Sequence, residues 1–175
     1  MRLFGNPFVW LMRIRHRCGY GVHSPFAFRF LTEVVYEQTP YYAYRSLDAG
    51  LPWRMRLRRR KGLHLLLRLA NWLQPEVIVL SGNHPWIRTY LMAGCSKAVI
   101  YGHMPAGGAD MVVLDAPDDE AESLVHEGGM LVLDGLSGHE EWLRGLRATV
   151  TFDLYDLGIA IYNKKLQRQH YRVNF

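Results

Sequence analysis

The hydrophobic pattern changes period at Gln74-Pro75, and this change constrains the fold more than any other feature of the chain. Beyond it, short apolar runs rich in β-branched residues recur at 77–80 (VIVL), 98–101 (AVIY), 111–114 (MVVL) and 130–133 (MLVL). Such runs lack the polar alternation of a half-exposed strand, so they read as strands buried on both faces, which is the habit of parallel sheets. Helix-like segments at 86–93 and 118–127 separate some of them, and another helix is expected at 139–146. Three last runs, 149–154, 158–163 and 170–173, lie close enough in sequence to pair antiparallel. The outline is an α/β fold, an open and mostly parallel sheet finished by an antiparallel C-terminal hairpin.

Before the change the period is helical. Residues 7–17 are apolar with interspersed arginines, and Ser24-Pro25 opens a second helix with Ser as N-cap and Pro in the first turn. Phe26, Phe30, Leu31, Val34 and Val35 recur on one face of it. An aromatic loop (Tyr41, Tyr42, Tyr44) and a basic run at 54–61 (RMRLRRRK) come next, and a third helix is expected at 63–73 (LHLLLRLANWL). Residues 1–75 therefore form a helical N-terminal segment and 76–175 an α/β core, together one compact unit. The charge divides at the same place: 13 Lys and Arg against 3 Asp and Glu in residues 1–75, but 8 against 13 in 76–175.

Several function classes fall away. No apolar stretch reaches the roughly 20 residues that span a bilayer, and the N-terminus lacks a small-residue cleavage site, so neither a transmembrane segment nor a signal peptide is expected. Cys18 and Cys95 are far apart without metal-type spacing and read as free thiols in the cytoplasm. The eight histidines form no ligand pair, so no metal is expected, and no serine sits in a nucleophile elbow. The run at 54–61 suits phosphate or anionic lipid, or equally a solvated helix face. No nucleic-acid-binding motif accompanies it, and nucleic acid is not the expected partner.

Four local sequences carry a resemblance: residues 21–28 (GVHSPFAF), 41–44 (YYAY), 152–159 (FDLYDLGI) and 169–171 (QHY). In them the chain resembles the class I S-adenosylmethionine-dependent methyltransferases, and in particular a bacterial group that opens with a helical segment. The resemblance runs with gaps over almost the whole chain. It implies a Rossmann-like, mostly parallel seven-stranded sheet with one reversed strand, and a cofactor lying across the carboxyl ends of the first strands.

Set against the family pattern, the chain departs at the cofactor. Val79 stands where the first strand should end in an acid, and Ser81 and Pro85 stand where two glycines should be. Gly82 remains one place displaced, so Ser81, Gly82 and Asn83 are the cofactor-binding candidates of this turn. Tyr101 and Gly102 hold the position of the ribose-binding carboxylate, and too few residues follow for a further helix and strand at that edge. Asp115 and Asp134 follow the third and fourth runs, Asp115 as a cofactor-side candidate and Asp134 with His139 as candidate proton acceptors. The plainer alternatives are that Asp115 caps a helix near Asp118 and that Asp134-Gly135 makes a turn. Two functions stay open: a degenerate methyltransferase-like protein with weakened or lost S-adenosylmethionine binding and a scaffold or partner-binding role, or an active methyltransferase acting on a small-molecule oxygen or nitrogen. A homodimer could cover the shortened sheet edge.

Overall fold

A computed structural model describes residues 24–175 apart from 104 and 106. The expected helix at 7–17, Cys18 and the first three residues of the 21–28 motif lie outside the described residues. Ser24 caps helix α1 (Pro25–Phe30) as expected, its hydroxyl accepting from the Ala27 N–H at 3.3 Å, and α1 runs on into a π-helical turn, Leu31–Val35. Helix α2 (Tyr44–Gly50) follows the tyrosine loop. The basic run and the expected third helix then prove to be a single helix, α3 (Trp53–Leu73), because nothing between Trp53 and Leu73 breaks the helical ladder. It stops at Gln74, whose left-handed backbone (φ 51°) lets its N–H close on the Ala70 carbonyl at 2.9 Å before Pro75.

The core is built from β1 (Val77–Leu80), α4 (Pro85–Gly94), β2 (Val99–Tyr101), β3 (Ala109–Leu114), β4 (Val125–Asp134), α5 (Glu140–Gly145), β5 (Val150–Asp153), β6 (Leu157–Ile161) and β7 (Gln169–Arg172). The strands form one seven-stranded sheet in the order β2-β1-β3-β4-β6-β5-β7. The expected helix at 118–127 is only a 3-10 turn at Ala121–Leu124, and β4 begins at Val125, five residues before the apolar run. The expected antiparallel pairing holds for β5 with β6, while β7 joins β5 in parallel. Since β6 is paired on both sides, with β4 and with β5, β5 supplies the edge that β7 can use. Only β6 is reversed.

Alternation along the strands divides the core. Ile78, Leu80, Met111, Val113, Met130, Val132, Phe152 and Ile159 pack on one face beneath α1, α3 and α4, whereas Val79, Val112, Leu114, Leu131 and Leu133 meet Leu143 of α5 on the other. The motifs that carry the resemblance meet within the first layer. Phe152 stacks on Tyr171 with ring centroids 5.4 Å apart, and Phe30, two residues past the 21–28 motif, covers its other side at 4.8 Å. Asp153, fully buried, accepts from the Tyr155 N–H at 2.9 Å and from Arg172 Nε at 3.2 Å, which holds Tyr155 at φ 77° in the β5–β6 turn.

Polar contacts fix the helical segment. Arg68, 6% exposed, donates to the Val34 carbonyl at 2.6 Å, the Val35 carbonyl at 3.0 Å and the Tyr44 hydroxyl at 3.2 Å, so one cation satisfies the carboxyl end of the π-helical turn. Asp48 of α2 accepts from His64 Nε2 at 2.8 Å and the Tyr90 hydroxyl at 2.7 Å, and Tyr44 stacks on His64 at 3.7 Å. Burial pushes the Asp48 carboxyl up, but the hydrogen bonds from Tyr90 and His64 outweigh it and hold it low.

At the amino ends of the strands His126 bridges two acceptors, Asp110 through Nδ1 at 2.9 Å and the Gly107 carbonyl through Nε2 at 2.7 Å. Both ring nitrogens must donate, so the imidazolium is the species that satisfies the site. The bond to Asp110 foremost, then that to Gly107, raises His126. In Asp110 burial works upward, yet His126 and the N–H groups of Val77 and Glu76 lower it. The stabilisation is therefore complete between the ordinary carboxyl value of 3.8 and the ordinary imidazole value of 6.5. It is lost as pH rises through the raised His126 value or falls through the lowered Asp110 value. Urea melts carried from this range to above the raised His126 value should show stability declining with pH, and His126→Gln should flatten that decline. An unchanged slope in the variant would show that the bridge contributes nothing.

Candidate functional site

Ligands of open α/β sheets bind at the carboxyl ends of the strands, and here that end collects Ser81 after β1, Asp115 after β3 and Asp134 at the end of β4. The turn after β1 is short because Pro85 starts α4 at once, with fixed φ and no N–H to leave unpaired. Gly82 takes φ 73° in it, and a Cβ there would stand 2.8 Å from both Asp115 Oδ2 and His84 Nε2. Glycine is thus required, but the groups that approach it closely are the protein's own side chains.

Asp115 is the centre of this contact. Its Oδ1 accepts from the Ser81 hydroxyl at 3.1 Å and its Oδ2 contacts His84 Nε2 at 3.0 Å. The bond from His84 lowers its carboxyl most; burial opposes, and Ser81 adds to the lowering. Asp115 therefore joins the β1 turn to the end of β3, and the alternative of a cap near Asp118 does not describe it: the Asp118 carboxylate accepts from the Glu120 N–H instead, at 2.9 Å.

Asp134, with a side chain only 10% exposed, forms an ion pair with Arg59 of α3. Burial pushes its carboxyl up, while the charge and hydrogen bond of Arg59 pull it down, and burial prevails. The next two residues turn sharply, with Gly135 at φ 116°, and both the Gly135 and Leu136 N–H groups donate to the Asp156 carbonyl at 2.8 and 3.0 Å. Two amides that an anion could have used are engaged by the β5–β6 turn. His139 sits at the N-cap position of α5, where its backbone N–H donates to the Leu136 carbonyl at 2.7 Å, and Asp134 pairs with Arg59.

The other sequence candidates are more dispersed. Asn83 is exposed in the turn, Tyr101 packs partly buried at the end of β2 with its ring 6.3 Å from that of His103, and a Cβ on Gly102 would meet open space. No carboxylate stands at the end of β2; the next acid along the chain, Asp110, holds the opposite end of the sheet. A hollow of about 280 Å³ also lies at that opposite end, beside Pro75, Glu76, Asp110 and Glu127. Among the described residues no three His, Cys, Asp or Glu side chains gather as metal ligands would.

Two members of the carboxyl-end cluster, Arg59 and His84, were not singled out by sequence. Arg59 was one cation in a run of them, and its role depends on the helical phase that aims residue 59 at β4. The proximity of His84 to the turn was visible, but its partner lies 31 residues away.

Without Arg59, the buried Asp134 carboxylate loses its counter-charge. Arg59→Met is expected to lower stability at neutral pH by about 1–3 kcal/mol, and the added Asp134→Asn to restore most of it. A carboxyl raised in the folded state favours folding when protonated, so the single variant should regain stability as pH falls through that value. Equal stability of Arg59→Met and the unaltered protein in denaturant melts at neutral pH would contradict the pairing.

No family model matches the chain, and no curated protein matches it either.

Proposed function

We propose that this chain is a methyltransferase-like protein of the S-adenosylmethionine-dependent class in which cofactor binding is weakened or lost, and that it acts as a scaffold or partner-binding protein. The four local motifs and a seven-stranded sheet with one reversed strand support the relationship. The observation that carries the loss is the carboxyl-end cluster: Asp115 is held by Ser81 and His84, and Asp134 by Arg59.

The residues present do not fit S-adenosylmethionine. Val79, which stands in place of an acid, is 3% exposed and packed into the core facing α5. The space beside Gly82 is taken by His84 and Asp115, and β2 ends without a carboxylate to accept from ribose hydroxyls. For the alternative, an active methyltransferase on a small-molecule oxygen or nitrogen, Arg59 and His84 would have to leave their carboxylates, each at the cost of a charge-assisted hydrogen bond.

Thermal denaturation with S-adenosylmethionine or S-adenosylhomocysteine tests the proposal. A ligand present at ~100 times its dissociation constant adds about 2.7 kcal/mol and a clear rise in Tm. No rise is expected at millimolar ligand. A saturable rise at micromolar ligand would favour the active enzyme.

A further inference from the structure

The amino-terminal half of α3 presents a face that the sheet does not use. Trp53 and Leu57, one turn apart, are 67% and 76% exposed. The helical step of 3.6 residues per turn sets Arg54 and Lys61 along one side of this pair and Arg56 and Arg60 along the other, all of them exposed. The Arg54 guanidinium lies over the Trp53 ring, 5.4 Å from its centroid, and Lys61 lies over Phe175 at 4.2 Å. The opposite side of the helix faces the body: Arg59 reaches Asp134, and a Cβ on Gly62 would touch Leu157 at 3.4 Å.

A solvated basic helix has no use for an exposed Trp and Leu on its outermost line. Bases could stack on Trp53, but Leu57 offers them nothing comparable. An apolar pair between two rows of cations does suit a bilayer surface, where indole and leucine enter the boundary between headgroups and acyl chains and guanidinium groups meet lipid phosphate. Charge narrows the bilayer to an anionic one. Residues 1–23 add Arg2, Arg13, Arg15 and Arg17 with no Asp or Glu, so their sequence supplies no carboxylate to neutralise the basic rows.

We propose that this face of α3 docks the protein on an anionic lipid bilayer, with Trp53 and Leu57 inserted and Arg54, Arg56 and Arg60 on the phosphates. The whole chain should co-sediment with vesicles of equimolar phosphatidylcholine and phosphatidylserine and stay in solution with phosphatidylcholine alone. Trp53→Ser with Leu57→Ser should abolish most of the retention. Arg54→Gln, Arg56→Gln and Arg60→Gln together should weaken it by about fivefold per charge removed. Trp53 and Leu57 are exposed, so their variant should keep the circular dichroism and Tm of the parent, and the arginine variant, which also loses the Arg56 bond to the Ala49 carbonyl at 3.5 Å, should keep the circular dichroism. Equal retention on the two vesicle types would overturn the proposal, as would retention unaffected by the Trp53 and Leu57 changes. Binding to duplex DNA that depends on the arginines but not on Trp53 or Leu57 would also overturn it, in favour of a nucleic-acid surface.

Discussion

The ion pair between Arg59 and Asp134 is the contact on which the arrangement of the carboxyl end depends. A carboxylate almost withdrawn from water at a strand end costs several kcal/mol unless a cation compensates it. The larger part of the compensation comes from Arg59 of α3, and His84 in the turn after β1 adds to it. That requires α3 to remain helical through its basic run and to lie across the sheet at a fixed angle. The second half of the helix secures both conditions. Leu63, Leu65, Leu66, Leu67, Leu69 and Ala70 are buried, Arg68 binds the carbonyls after α1, and His64 with Asp48 and Tyr90 ties α2, α3 and α4 together. One helix thus couples the N-terminal segment to the end of the sheet where open α/β proteins place ligands.

The cluster around Asp115 follows the same logic at smaller cost. Ser81, Gly82 and His84 are close in sequence, and the left-handed Gly82 folds the turn back so that hydroxyl and imidazole converge on one carboxylate. Both acids that sequence reasoning selected are therefore engaged within the chain. A partner or small molecule approaching this end meets exposed Asn83 and the half-exposed Asp115–His84 pair, not a backbone cradle.

The sheet was legible in the sequence because strands buried on both faces leave uninterrupted apolar runs. Helix α3 was legible only in its buried half, since a charge run has no apolar period to betray its phase. The stretch before Gly128 and Gly129 read as helix because its acids and alanine suit one, but ladder pairing with β3 draws the chain into a strand from Val125. The direction of β7 could not be read locally: it depends on β6 being enclosed by β4 and β5. The family-like motifs were legible as words but not as roles. Phe152, Tyr171 and Asp153, with Phe30 of α1 beside them, serve the stack and turn that join α1, β5 and β7, and such residues can persist whether or not a cofactor does. The edge at β2 shows a similar limit. Arg88 donates to the Ile100 carbonyl at 3.2 Å, which blunts the edge that a second copy could cover.

The most direct measurement is site-resolved: amide resonances of residues 81–84 and 134–136 followed while S-adenosylhomocysteine is titrated into the labelled protein. With Asp115 and Asp134 held by His84, Ser81 and Arg59, these resonances should stay in place through millimolar ligand. A saturable shift confined to these two turns would show that the carboxyl end still receives the cofactor, and would contradict the reading of a site closed by its own side chains.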